Sequence, residues 1–220
     1  MPSIHPLAAL GEIAAEIAHE LRNVLQVART SVYLIRRDLA RGAPVEDSLA
    51  RLDRSVANAQ AVVDDVLALA QAQALAKESV RLVETLRAAC EDFDVHLDDI
   101  GIAPDLEVRA ARGLLVRLFR SLLDNAVQTA PAGPPKITAR AWHEDGKVVV
   151  EVADNGPGIA ASLAPRIFEP LMTGRPGGTG LGLALAARIA RAHGGSLTLV
   201  DGHGGESTNV PAVFRLALPV

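Results

Sequence analysis

One cysteine, one tryptophan, one tyrosine and four phenylalanines are all that these 220 residues contain of those types. The single thiol, Cys90, cannot close an intramolecular disulfide. That fits a reducing compartment, and Cys90 reads as a small apolar core residue. Lysine occurs only at 77, 136 and 147. The 22 basic side chains are outnumbered by 26 acidic ones, and no basic stripe is present to neutralise phosphates, so no nucleic-acid surface is expected. No apolar run reaches the roughly 18–20 residues that span a bilayer. Nor does a basic segment followed by an apolar one open the chain. The expectation is a cytoplasmic chain with no membrane segment. With 49% apolar residues it can build substantial cores, as one large domain or two small ones.

What is present changes period along the chain. From Leu7 to about Ala76 the pattern is helical, with one break at Arg41-Gly42-Ala43-Pro44. Before the break, apolar or small residues recur at Leu10, Ala14, Ile17, Leu21, Val24, Ala28, Ser31, Ile35 and Leu39. After it they recur at Leu49, Leu52, Val56, Ala59, Val63, Val66, Ala70 and Gln73. Steps of three and four make a heptad stripe on each of two helices joined by a short turn. A lone hairpin would leave much of both stripes wet, whereas two hairpins would close a four-helix bundle, so a homodimer is expected.

Beyond Glu78 the pattern is mixed. Helices are expected at Leu82–Phe93, Gly113–Gln128 and Leu181–His193, the last stopped by Gly194-Gly195. Ile137, Ala139 and Ala141 alternate on one strand and Val148, Val150 and Val152 on the next, with Glu144-Asp145-Gly146 turning between them. Further short strands fall near 95–97, 106–110, 196–201 and 212–218. The fold class is therefore an all-α hairpin, residues 4–77, followed by an α+β sandwich, residues 78–220.

Three constellations carry chemistry. Ile17 and Leu21 lie on the stripe, so His19 should project from nearly the opposite side of its helix. Glu20 is placed to accept a proton from one ring nitrogen, leaving the other more nucleophilic. Asn23, one turn on, can hold a water beside the ring. In the second half, Asn125 within Ser121-Leu122-Leu123-Asp124-Asn125-Ala126 offers a neutral oxygen to a magnesium ion otherwise held by waters and phosphates. Asp154 closes a strand, where its carboxylate can accept the exocyclic amine of adenine, and Gly156 and Gly158 permit close backbone approach. Gly178-Thr179-Gly180-Leu181-Gly182-Leu183 opens a helix whose free N–H groups face an anion. Arg175, just upstream, is within chain reach of a terminal phosphate.

Together these segments resemble the catalytic core of bacterial sensor histidine kinases. His19–Asn23 is similar to their acceptor box, Leu122–Ala126 to the N box and Asp154–Gly158 to the G1 box. Ile167-Phe168-Glu169-Pro170-Leu171 is similar to the F box and Gly178–Leu183 to the G2 box. The resemblance implies a dimerisation and phosphotransfer hairpin followed by an ATP-binding sandwich of the type shared with Hsp90, MutL and gyrase B. It implies ATP and Mg2+ as cofactors, with Asn125 on the metal, and with Asp154, Gly156, Gly158, Ile159, Arg175 and Gly178 to Gly182 around the nucleotide. His19 would be phosphorylated with Glu20 as base, and an aspartate of a response-regulator receiver domain would take the phosphoryl group. Asn23 would support dephosphorylation of that regulator, and the signal would reach this chain either from a separate sensor subunit or, if the chain is an excised core, from another part of a longer sensor protein.

Four positions depart from the family pattern. Val24 stands where proline is usual, Ser121 replaces a common Asn, Gln128 a common Lys, and Ala111 a frequent Asp. Two other functions compete: an ATP hydrolase or clamp of the Hsp90/MutL kind, and an ATP-binding scaffold or phosphotransfer protein with little kinase activity. The hydrolases place a Glu where this chain has Ser121, and a scaffold has no need of intact glycine boxes.

Overall fold

The computed structural model of the chain describes residues 6–71, 76–130, 134–169, 172, 180–201 and 211–220. Side chains are described from Leu21 onward, apart from those of residues 23, 58, 61–62, 64–71, 100 and 201. The fold divides into two compact units, Met1–Leu67 and Ala68–Val220.

The long heptad stretches form two helices, α1 (Pro6–Leu39) and α2 (Glu46–Gln71). Gly42, at φ +66°, makes the turn between them, in backbone space that L side chains rarely occupy. Glu46 and Asp47 open α2, and Arg36 and Arg37 close α1, each complementing its helix dipole. Ser55 Oγ donates to the Val24 carbonyl at 2.7 Å across the hairpin. Val24, Ser31 and Ser55 are the described side chains buried there.

The buried face of α2 is rotated from the expected stripe. Ser48, Leu52, Ser55 and Ala59 are covered or half-covered, while Leu49, Val56 and Val63 are exposed. One neighbouring helix covers only a narrow strip, so the second apolar line of each helix stays wet. On α1 that line is Leu25, Val32 and Leu39, on α2 Leu49, Val56 and Val63, each spaced by seven.

The second unit contains a five-stranded mixed sheet in the order β2-β4-β5-β7-β6. Its strands are β2 (His96–Gly101), β4 (Lys136–Glu144), β5 (Lys147–Asp154), β6 (Ser196–Asp201) and β7 (Val213–Pro219). Among the described strands, only β2 and β4 pair in parallel; the other neighbours are antiparallel. The β4–β5 turn is Asp145-Gly146, with both residues at positive φ, 48° and 72°. That is the two-residue turn whose twist matches the strands it joins.

Three helices, α3 (Leu82–Cys90), α4 (Arg112–Thr129) and α5 (Gly182–Ala192), pack on the sheet. The inward residues Ile137, Ala139, Val148, Val150, Val152, Phe214, Leu216 and Leu218 meet Leu86, Leu115, Leu118, Phe119, Leu123 and Ile189 in one core. A separate two-stranded ribbon pairs β1 (Glu78–Arg81) with β3 (Glu107–Ala110). Local pattern did not predict β1, because Val80 is its sole apolar residue and its pairing partner lies far along the chain.

The sheet's other face carries charge. Glu151 lies opposite Arg140 on β4 and Arg215 on β7. Arg140 donates to its Oε2 at 3.1 Å, and Arg215 reaches Oε1 with Nε at 3.1 Å and a terminal nitrogen at 2.7 Å. The Arg215 guanidinium also lies over the Trp142 ring, 5.9 Å from its centre. These long side chains roof the central strand, which explains why Val149 and Glu151 are buried on the face away from the helices.

Candidate nucleotide and phosphoacceptor site

The site in the second unit is built where the carboxyl end of β5 meets the last turns of α4 and the first turn of α5. Asp154 is the final residue of β5 and is 8% exposed. The Gly156 N–H donates to its Oδ1 at 2.8 Å, holding the carboxylate in place. Burial pushes the Asp154 carboxyl above the ordinary value, and that hydrogen bond partly offsets the rise. A buried carboxylate at a strand end is set to receive a donor from a ligand.

Gly156 has no room for a side chain: a Cβ there would lie 2.8 Å from Asp154 Oδ1 and 3.2 Å from Thr129 Oγ1. Thr129, which the sequence did not single out, donates to the carbonyls of Asn125 at 2.8 Å and Ala126 at 3.2 Å. It thus fixes the end of α4 beside the Asp154 turn. Gly158 and Gly180 have φ of 78° and 66°, which glycine alone adopts without strain. Asn155 faces outward, its Oδ1 accepting the Lys136 N–H at 2.8 Å, so it braces the start of β4.

Asn125 lies in the last turns of α4, and Leu181 and Gly182 at the start of α5. The two helices approach closely there, since a Cβ on Gly182 would stand 3.8 Å from the Ser121 Cβ. Gln128 bonds to the Asp124 carboxylate one turn back. Behind the site, Phe168 meets Phe214 edge to face, with centroids 6.3 Å apart. Ile159 is half-buried and packs against the core.

The structure therefore brings Asn125, Asp154, Gly156, Gly158, Ile159, Gly180, Leu181 and Gly182 to one unit. Arg175, Gly178, Thr179, Pro170 and Leu171 lie outside the described residues. His19 and Glu20 lie within α1, and so does Asn23, but their side chains are outside those described. The residues fit a magnesium nucleotide. No group of three or more His, Cys, Asp or Glu side chains that could hold a metal occurs among the described residues. Asn125 would offer a divalent ion a neutral side-chain oxygen, and magnesium characteristically keeps waters and phosphate oxygens as its other ligands.

A helical hairpin followed by an α/β sandwich, with glycine turns beside a buried strand-end carboxylate, is the architecture of an ATP-binding phosphotransfer core. The family model of histidine kinase-, DNA gyrase B- and HSP90-like ATPases matches residues 110–220, and the His Kinase A (phospho-acceptor) domain model matches residues 9–75. The chain belongs to this ATPase family and has the make-up of a two-component sensor histidine kinase catalytic core. As a member of the family, it binds ATP.

It is 32% identical over 235 residues to the signal transduction histidine-protein kinase AtoS of Escherichia coli strain K12, a match spanning all of this chain and 36% of AtoS. The catalytic domain of the histidine kinase ThkA is 27% identical, with a TM-score of 0.52 over 65% of this chain and 95% of that one. A structure of ThkA in complex with the response regulator TrrA shares the fold, with a TM-score of 0.67 at 22% identity over 96% of this chain and 63% of that one. This chain spans about a third to a half of the first curated relatives it matches. Among the described residues, no helix is long and apolar enough to cross a membrane.

Proposed function

We propose that this chain is an ATP-dependent protein-histidine kinase that phosphorylates His19 and passes the phosphoryl group to an aspartate of a response-regulator receiver domain. The observation that carries the reading is the buried Asp154 carboxylate fixed by the Gly156 N–H, in a chain whose first helix bears His19-Glu20-Leu21-Arg22-Asn23. Asp154 accepts the adenine amine, which selects adenine over guanine. Gly156 and Gly158 let the base lie against the backbone, with Ile159 beside it. Arg175 and the N–H groups of Gly178 to Gly182 hold the phosphates at the start of α5. Asn125 would hold magnesium, which when bound neutralises charge on the phosphate oxygens.

His19 takes the γ-phosphoryl group through one ring nitrogen as the bond to the ADP oxygen breaks. Glu20 accepts the proton that the ring sheds. The phosphohistidine then transfers its phosphoryl group to a receiver aspartate as Glu20 returns the proton to the ring, which regenerates neutral His19. Asn23 lies one turn beyond His19, where its amide orients water for dephosphorylating the regulator.

The functional boundary is placed at 77/78, giving a 4–77 hairpin and a 78–220 ATP-binding sandwich. The hairpin forms a homodimer through the two exposed heptad lines, Leu25-Val32-Leu39 and Leu49-Val56-Val63. Replacing Leu25 and Val56 together by Asp should halve the mass seen by light scattering. A dimer that survives would refute this surface. The protein acts in the cytoplasm, and its signal arrives from a sensor element, in a separate subunit or elsewhere in a longer protein.

ATP hydrolysis as the main reaction has less support. Ser121, at the position where hydrolases of this fold carry Glu, cannot serve as a carboxylate base, and its hydroxyl donates to the Arg117 carbonyl at 3.1 Å. The deciding experiment is incubation with labelled MgATP of the wild type, His19→Gln and Asn125→Ala. Acid-labile, alkali-stable label lost in both variants is expected. Nucleotide binding without label would shift the assignment to a scaffold or a regulator phosphatase.

A further inference from the structure

His193 ends α5 and is 1% exposed, yet it takes no part in the chemistry described above. Its Nδ1 lies 2.8 Å from the Ile189 carbonyl, which can only accept, so the ring proton sits on Nδ1. Nε2 therefore keeps its lone pair and accepts the Ala111 backbone N–H at 3.0 Å. Ala111 is the N-cap residue of α4 and has no side chain with which to cap the helix itself. The imidazole thus joins the last turn of α5 to the first turn of α4.

The same residue reaches a third element. Its carbonyl accepts a hydrogen bond from Lys77 Nζ at 3.0 Å, and the Lys77 carbonyl accepts one from Arg109 at 3.3 Å. Lys77 immediately precedes β1, whose Glu78 pairs with Ala110 at the end of β3. The chain leaving the helical hairpin is therefore fastened beside the junction of α4 and α5. Farther along, Gly182 at the start of α5 faces Ser121 midway along α4, one turn before Asn125.

We infer that His193 is a positioning residue for phosphoryl transfer, setting α4 against α5 through its neutral ring and tying both helices, through Lys77, to the chain arriving from the hairpin. The inference rests on the kinase reading. Burial lowers the tendency of His193 to take a second proton; the hydrogen bond to the Ile189 carbonyl partly opposes this, and the nearby Lys77 charge adds to the lowering. At neutral pH the ring is the neutral acceptor that Ala111 requires. The adenine end of the site, Asp154 with the Gly156 N–H, is held by the β5 turn itself and meets α4 at Thr129, the end of the helix far from this junction. Loosening the junction should therefore misplace the magnesium ligand against the phosphate-binding helix and leave base recognition intact.

The test measures the initial rate of acid-labile label on His19 across a range of MgATP concentrations. The wild type is compared with His193→Phe, His193→Gln and Lys77→Met in the full chain. Phe fills the volume and strands the Ala111 N–H; Gln restores an acceptor. His193→Phe should lower the maximal rate at least on the order of tenfold while KM for ATP moves less than about threefold. Gln should recover most of that rate, and Lys77→Met should lower the rate with KM unchanged. Wild-type rates in both Phe and Met variants, or rate, KM and melting temperature falling in step without rescue by Gln, would overturn the assignment. If the Phe variant does not fold, Lys77→Met decides alone. A wild type that binds ATP but takes no label would defeat the kinase reading and this one with it; label at normal rates throughout defeats this one alone.

Discussion

Adding one methyl group at Gly156 tests packing and chemistry at the same atom. The new Cβ would stand 2.8 Å from Asp154 Oδ1, 0.6 Å short of the 3.4 Å at which ordinary contact begins. The carboxylate cannot swing aside without releasing the 2.8 Å bond from the Gly156 N–H, and on the other side Thr129 Oγ1 is 3.2 Å away. Overpacking of this kind costs about 1–3 kcal/mol. Weakening a hydrogen bond to a charged acceptor adds about 1 kcal/mol. A total of about 2–4 kcal/mol corresponds to a fall of roughly 4–16 °C in the melting temperature of a domain this size.

On the proposed reading, Asp154 would also lose its alignment to the adenine amine, a hydrogen bond to a charged group whose loss weakens ATP binding by about 10–100-fold. Both effects of Gly156→Ala can be read in one experiment, thermal shift with and without ATP, backed by titration calorimetry. An alanine variant melting within about 1 °C of the wild type and binding ATP within about twofold would refute the argument that Asp154 is held in a single position.

Three further outcomes are expected. Glu151→Gln removes the charge shared by Arg140 and Arg215; because both arginines are substantially exposed, the cost should be only about 1–2 kcal/mol in denaturant unfolding. Asp154 has a raised carboxyl pKa, so ATP affinity should fall as pH drops through that raised value, at a higher pH than an ordinary Asp would give. In the nucleotide-free protein its contribution to stability has the opposite sign, full below the unfolded pKa and lost as pH rises through the folded one; Asp154→Asn should abolish both trends in calorimetry. His193 has a lowered pKa, so the unfolded chain binds its proton first. Stability should fall as pH drops below about 6.5 toward the folded value, and melting curves of His193→Gln should lack that component.

Legibility in the sequence followed how local each signal was. The β4–β5 hairpin could be read because the alternation of Ile137, Ala139 and Ala141 faces that of Val148, Val150 and Val152, and Asp145-Gly146 suits a two-residue turn. Helices α1, α2, α4 and α5 announce themselves by period, and α1 and α5 also by the glycines that stop them. The Asp154 end of the candidate site could be picked out because Asp154, Gly156 and Gly158 lie within a few residues of one another. Burial of Ser55 was not legible: the side of α2 facing α1 is set by crossing geometry and not by the apolar repeat. Strand β1 exists only through Glu107–Ala110, and His193 before Gly194-Gly195 reads simply as a helix end. Its pairing with Ala111, 82 positions away, appears only in three dimensions.

The guanidinium–carboxylate–guanidinium row across β4, β5 and β7 has a consequence for how this sheet is assembled. Sliding β4 by two residues would keep every side chain on its proper face and re-form the backbone ladder except at the strand ends and the turn, so the apolar pattern alone scarcely penalises the error. It would, however, set Glu151 against Thr138 or Trp142 in place of Arg140. The same slip on β7 would offer Val213 or Ala217 in place of Arg215. A carboxylate kept from water without its partners costs about 3–5 kcal/mol. One charge at the centre of the sheet therefore proofreads the alignment of three strands, and so guards the position at which Asp154 emerges at the end of β5.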